Sequence, residues 1–179
     1  LNDGKPWEIW KWPAGEELGQ FIINDEPWSP DSKNLVFATW KRNKRELEVC
    51  IANLTEKKVR TVYRTIHEGE HTTPGMTDPF YTKDGSRILL LLEQSGYRHV
   101  WMVDPLVEGA TQITRGDFEV YPIKLTEDGK WLLVHSSREH PARMNFYRVD
   151  LADGAMTRLT SRDGNYSGGA LSHDGDKLA

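Results

Sequence analysis

Tyr81-Thr-Lys-Asp-Gly-Ser-Arg-Ile-Leu-Leu90 decides the fold, because the same phrase occurs four times. The others are Trp28-Ser-Pro-Asp-Ser-Lys-Asn-Leu-Val-Phe37, Leu125-Thr-Glu-Asp-Gly-Lys-Trp-Leu-Leu-Val134 and Leu171-Ser-His-Asp-Gly-Asp-Lys-Leu178. Each has an apolar lead, a Ser or Thr, then Asp followed by Gly or Ser, then an apolar run. Asp-Gly supplies the positive φ of a tight hairpin turn, and the apolar runs on either side are the strands it joins. Anchored on Asp31, Asp84, Asp128 and Asp174, the repeats are spaced 53, 44 and 46 residues apart. That is the length of one four-stranded blade of a β-propeller.

Working outward, the second half of each unit has its own signature. Glu48-Val-Cys-Ile-Ala-Asn-Leu54, His99-Val-Trp-Met-Val-Asp-Pro105 and Asn145-Phe-Tyr-Arg-Val-Asp-Leu151 are alternating strands ending at Asn or Asp. A short polar turn and another strand follow, as in Thr111-Gln-Ile-Thr114 and Met156-Thr-Arg-Leu-Thr160. Helical periodicity is absent, with room for a single turn only over Gly15 to Gln20. The expected fold is therefore all-β: one domain over 1–179, a partial propeller of three to four four-stranded blades. Its parts are a blade tail at 1–24, where Trp7 to Trp12 matches a second half, blades at about 25–66, 78–120 and 121–165, and the start of another at 167–179. Both ends read as cuts. An open arc leaves strand edges and blade faces uncovered, so self-association of the fragment is expected.

Composition narrows the partners. Lys and Arg number 23 against 27 Asp and Glu, a net charge of -4, which does not suit nucleic acid or an anionic membrane as main partner. The longest apolar stretch, Ile88 to Leu92, is far short of a membrane span. The single Cys50, inside Leu47-Glu-Val-Cys-Ile51, reads as a core position, not a reactive thiol.

Several motifs point elsewhere and are weighed against plainer readings. His67-Glu-Gly-Glu-His71 satisfies H-E-x-x-H, the zinc-peptidase pattern that needs both histidines on one helical face. A β-branched run precedes it, Gly69 interrupts it and Thr72-Thr-Pro-Gly75 follows it, so an inter-blade loop is expected and no metal or cofactor. Asn165-Tyr-Ser-Gly-Gly169 echoes a nucleophile elbow but lacks its first glycine and its sheet-to-helix context. No triad order is present, so no catalytic residue is assigned to the chain. Trp10 and Trp12 on one strand face suggest blade packing ahead of a sugar platform. The Asp-Gly pairs lack the Asp-x-Asp-x-Asp-Gly pattern of a calcium loop. Asn53-Leu-Thr55 and Asn165-Tyr-Ser167 are glycosylation-type triplets.

A family likeness rests on particular residues. Glu93-Gln-Ser-Gly-Tyr-Arg-His-Val-Trp-Met-Val-Asp104 resembles a strand start in the propeller of dipeptidyl peptidase IV, and Gln112-Ile-Thr-Arg-Gly-Asp-Phe-Glu-Val120 follows at that family's distance. Phe146-Tyr-Arg-Val-Asp150, Thr157-Arg-Leu-Thr160 and Trp40-Lys-Arg-Asn-Lys-Arg-Glu-Leu-Glu48 are similar to further phrases of the same propeller. The resemblance implies a non-catalytic propeller segment, roughly half of an eight-bladed ring, that frames the chamber of a serine exopeptidase. Its partners would be an α/β-hydrolase catalytic domain and a peptide substrate, with a lean toward an extracytoplasmic home. The family's paired glutamates for a substrate's amino terminus are not found here. Arg98, His71 and Glu70 are the candidate substrate-facing residues. His99, Glu119 and Asp117 are the candidate structural clamp, since a charged pair within an aromatic strand start needs partners. The alternative is a stand-alone scaffold similar to the periplasmic Tol-system propeller.

Overall fold

A computed structural model describes residues 6–12, 14, 19–67, 78–162, 164–166, 168–170, 172, 177 and 178. Among them there is no helix; twelve strands form three four-stranded antiparallel sheets. The first is Gln20–Ile22 (β1), Asn34–Lys41 (β2), Glu46–Asn53 (β3) and Lys58–Ile66 (β4); the second is Phe80–Tyr81 (β5), Ile88–Leu92 (β6), His99–Val103 (β7) and Thr111–Gln112 (β8). The third is Val120–Leu125 (β9), Trp131–Ser136 (β10), Asn145–Asp150 (β11) and Met156–Arg158 (β12). Within each sheet the strands lie in chain order, as the repeat requires.

The first sheet starts earlier than the repeat suggested. β1 pairs with β2, Gln20 opposite Trp40 and Ile22 opposite Ala38, so 20–22 belong to this blade and not to the tail of another. Nor do residues 7–12 form a strand: Trp7, Ile9 and Trp10 pack as irregular chain on Leu35, Phe37, Cys50 and Ala52. Trp10 meets Trp12 and Phe37 edge-on, at 6.0 and 5.9 Å between ring centres. Of the turn expected at 15–20, residues 15–18 lie outside the described residues, and Gly19 and Gln20 are not helical. A Cβ on Gly19 would lie 2.1 Å from the Trp12 ring, so this chain path needs glycine there.

The repeated phrase builds a particular turn. Thr82 and Arg87 close it, the Thr82 N–H donating to the Arg87 carbonyl at 2.9 Å and the Arg87 N–H to the Thr82 hydroxyl at 3.0 Å. Inside, Asp84 accepts from the Thr82 hydroxyl at 2.6 Å and from the Ser86 amide at 3.0 Å. Ser29 with Asp31 and Thr126 with Asp128 repeat these bonds. In the fourth copy Ser172 and Lys177 make the same closure. The turn is thus longer than the two-residue hairpin expected, and only the residue after Asp has positive φ: 57° at Ser32, 71° at Gly85, 69° at Gly129. Hydroxyl and amide donors from Ser86 and the Thr82 hydroxyl push the Asp84 carboxyl down to about 2. These carboxylates serve the turns.

The apolar run of β6 has no alternation because its sheet is covered on both faces. Ile88, Leu90 and Leu92 pack on Val36, Ala38 and Trp40 of the first sheet, while Leu89 packs on Leu132 and Val134 of the third. Side by side, the sheets bring their turns together: a Cβ on Gly85 would sit 3.0 Å from Pro30, and one on Gly129 3.0 Å from the Lys83 side chain. On the first sheet's other face Lys41 bridges Glu46 and Glu48 at 2.7 and 2.6 Å, and Arg64 also holds Glu48. Cys50 is fully buried there, and burial raises its thiol to about 11.

Candidate functional site

The residues from Glu93 to Tyr121 join the second sheet to the third. After β6, Glu93 to Arg98 form a turn in which the Gly96 N–H donates to the Glu93 carbonyl at 3.0 Å. His99 then enters β7 fully buried, its ring edge 5.3 Å from the Phe118 ring centre. Its Nε2 lies 2.9 Å from the Gly116 carbonyl and its Nδ1 3.0 Å from the Thr114 hydroxyl. A carbonyl only accepts, so Nε2 carries a proton, and in the neutral ring Nδ1 takes the Thr114 hydroxyl proton. The Thr114 oxygen in turn accepts the Val100 N–H at 3.0 Å. One relay of three bonds therefore ties β7 to the 113–119 connection. At Gly116, φ is 136° and a Cβ would fall 2.2 Å from the Phe118 ring, so the relay's last acceptor depends on glycine.

Arg98 stands beside this relay. Its N–H donates to Glu119 at 3.2 Å, while its guanidinium gives both Nε and Nη2 to Glu93, at 3.2 and 2.7 Å, and lies 5.0 Å over the Tyr121 ring. The Arg98 side chain is a quarter exposed, so charge and ring remain partly open to solvent. Glu119 reaches on to the third sheet, its N–H donating to the Ser137 hydroxyl at 3.0 Å. Arg98, His99 and Glu119 thus come together at this seam, whereas Asp117 is exposed on the turn between Gly116 and Phe118. Sequence reasoning missed Glu93 as the guanidinium's partner and Thr114 as the imidazole's; the five-residue return from Glu93 to Arg98 was the available signal for the first.

Glu70 and His71 lie outside the described residues, as do Glu68 and Gly69 of the same motif. His67 continues past β4, its N–H donating to the Arg45 carbonyl at 2.8 Å and its ring edge-on to Trp40. The described residues hold no group of three or more metal-binding side chains. In the elbow-like segment, the Asn165 carbonyl oxygen and Tyr166 N–H bond the Met144 backbone, as befits a loop beside β11.

A second feature was not anticipated. A cleft of about 580 Å³ opens along the first strands of the three sheets, between Asp25 and Trp28, Asp78 and Tyr81, and Pro122 and Leu125.

A family model described as the dipeptidyl peptidase IV N-terminal region matches residues 3–179. The chain belongs to this family. Prolyl endopeptidase FAP of Mus musculus is 28% identical over 85 residues, covering 46% of this chain and 11% of that protein. A structure from Bacteroides ovatus, assigned as a dipeptidyl aminopeptidase IV, matches with a TM-score of 0.73 at 15% identity, over 89% of this chain and 25% of that one. TolB from Acinetobacter baumannii matches with a TM-score of 0.64 at 21% identity, over 89% of this chain and 37% of that one. The chain therefore spans a small part of each protein it resembles. At these identities the structural likenesses speak for the fold, an all-β propeller segment.

Proposed function

We propose that this chain is a non-catalytic part of the wall and substrate gate of a dipeptidyl-peptidase-IV-like serine exopeptidase. The observation that carries the reading is the seam from Glu93 to Tyr121: the phrases that resemble the family most specifically fold there into one buried relay with a half-open Arg98 beside it. Catalysis would then belong to an α/β-hydrolase domain of the same protein, and the segment would contribute shape and selectivity to a chamber that admits short peptides. Arg98, Glu70 and His71 are the residues assigned to face the substrate, and His99 with Glu119 to hold the seam.

The test uses the whole protein that carries this chain. A fluorophosphonate probe should label one serine, and chromogenic Xaa-Pro substrates should release their dipeptide. Arg98→Ala should raise KM for peptide substrates with little change in kcat, and Arg98→Lys should restore part of the loss. A protein with no reactive serine and no dipeptide release would sink the reading.

A second reading, a protein-binding scaffold, is favoured by the TolB likeness over 89% of the chain. It becomes the better one if the protein lacks a reactive serine yet retains specific protein partners. The isolated segment should also self-associate, two arcs closing a ring through the outer faces of the first and third sheets; a monodisperse monomer in light scattering refutes that.

A further inference from the structure

The cleft along the first strands has a register that the repeat explains. Asp25, Asp78 and Pro122 each stand six residues before the Asp of their turn, and Trp28, Tyr81 and Leu125 each stand three before it. All six line the cleft. Equivalent positions of three neighbouring sheets thus converge on one space, as they do where blades meet around an axis. The third sheet contributes Pro122 where the first two contribute carboxylates, so negative charge gathers at the junction of the first and second. Glu26 adds a further acid.

Three observations distinguish this space from an ordinary solvated acidic surface. Asp78 is only partly exposed, and burial together with the Asp25 charge pushes its carboxyl above the ordinary value, with no offsetting cation among the described residues. Trp28 is 49% exposed although large apolar rings favour burial, and it lines the cleft beside these acids. Tyr81 also lines it; the residue is 8% exposed, and its hydroxyl has no hydrogen-bond partner among the described residues. An aromatic face, uncompensated carboxylates and an orphan phenol oxygen are together complementary to an N–H-bearing cation.

We propose that this cleft binds an organic ammonium ion, the protonated primary amine of a free polyamine or of a peptide's amino end, between Asp25 and Asp78 with Trp28 as one wall. The proposal goes beyond the chamber-wall reading, since it requires no catalytic domain. Lys83 and Lys124 also border the cleft, so a ligand carrying an acceptor at its far end has partners as well.

Calorimetric titration of the protein with cadaverine and with trialanine amide tests it, with 1-pentanol as neutral control. At least one amine should bind and the alcohol should not; the tighter of the two amines identifies the source. Asp78→Asn should weaken binding about tenfold, the worth of one charge-assisted hydrogen bond, and Trp28→Leu should weaken it by less. Affinity should fall as pH drops through the titration of Asp78. Because Asp78→Asn relieves like-charge repulsion, its urea midpoint should not fall; should it do so, the exposed Asp25→Asn carries the test alone. Binding that survives in both Asn variants, equal binding of pentanol, or no binding of either amine overturns the proposal.

Discussion

Replacing His99 by Leu tests whether the buried relay holds the second sheet to the third. Leu fills most of the imidazole's space without its two nitrogen partners. The substitution leaves the Thr114 hydroxyl, fully buried, with nothing to donate to, and strips one partner from the Gly116 carbonyl. An orphaned buried polar group costs about 1–3 kcal/mol, and a partly solvated carbonyl costs less. The lost edge contact with Phe118 at 5.3 Å adds about 0.5–1 kcal/mol. Burying Leu in place of a polar ring recovers part of this, so the expected loss is about 3 kcal/mol.

Urea unfolding followed by intrinsic fluorescence should show a lower midpoint with an unchanged slope, because the surface exposed on unfolding is the same. Thr114→Val removes the other member of the relay and also orphans the Val100 N–H. The double variant should therefore cost about 1 kcal/mol less than the two single losses combined, since each alone leaves the other group stranded. A His99→Leu loss below about 0.5 kcal/mol, the range of ordinary surface changes, or strict additivity in the cycle, refutes the relay as the tie between sheets.

Three further outcomes follow from the turns and the buried charges. Ser32 holds φ 57° where its counterparts are glycines, so Ser32→Gly should raise stability by about 0.5–1 kcal/mol, whereas Gly85→Ala, with its Cβ 3.0 Å from Pro30, should lower it by about 1–2 kcal/mol in the same urea titration. Asp84 binds its proton less readily folded than unfolded, so its contribution is present above its ordinary 3.8 and is lost as pH falls toward 2; Asp84→Asn should flatten the midpoint's pH dependence in that window. Lys41→Met strands the buried Glu48 on Arg64 alone and should cost about 2–3 kcal/mol at neutral pH. In the wild type the Glu48 carboxyl is held low: burial alone would raise it, but Lys41 and Arg64 prevail. The cost of losing Lys41 should accordingly shrink as pH falls below the ordinary 4.5 and Glu48 protonates, a trend readable by thermal unfolding across that range.

What was legible in the sequence was whatever the backbone itself enforces. A Ser or Thr, an Asp two residues on and a Gly after it are each needed by one hydrogen bond or one positive φ, so the turn recurs with its chemistry intact and announces the blades. β1 was missed because no turn phrase precedes it: Gln20 to Ile22 are recognisable as a strand only through their pairing with β2. The Trp7 to Trp12 segment misled for the related reason that its aromatic spacing mimics a strand, while its rings cover the first sheet's face without joining it. At the seam, the types of Arg98 and His99 showed that partners were needed but not which ones, since Glu93 and Thr114 satisfy them through loop geometry. The cleft acids differ. Asp25 and Asp78 look like unrelated surface residues until the repeats are superposed, when they fall on one position of adjacent blades. A repeat places equivalent side chains on a common axis, so like charges at equivalent positions are brought together by the fold and not by local chemistry. Such a pair carries an electrostatic penalty in every molecule that folds, with Pro122 at the third equivalent position showing that the architecture does not demand an acid there. That is the reasoning by which Asp25 and Asp78, and not the more conspicuous Asp-Gly carboxylates, are assigned to a ligand.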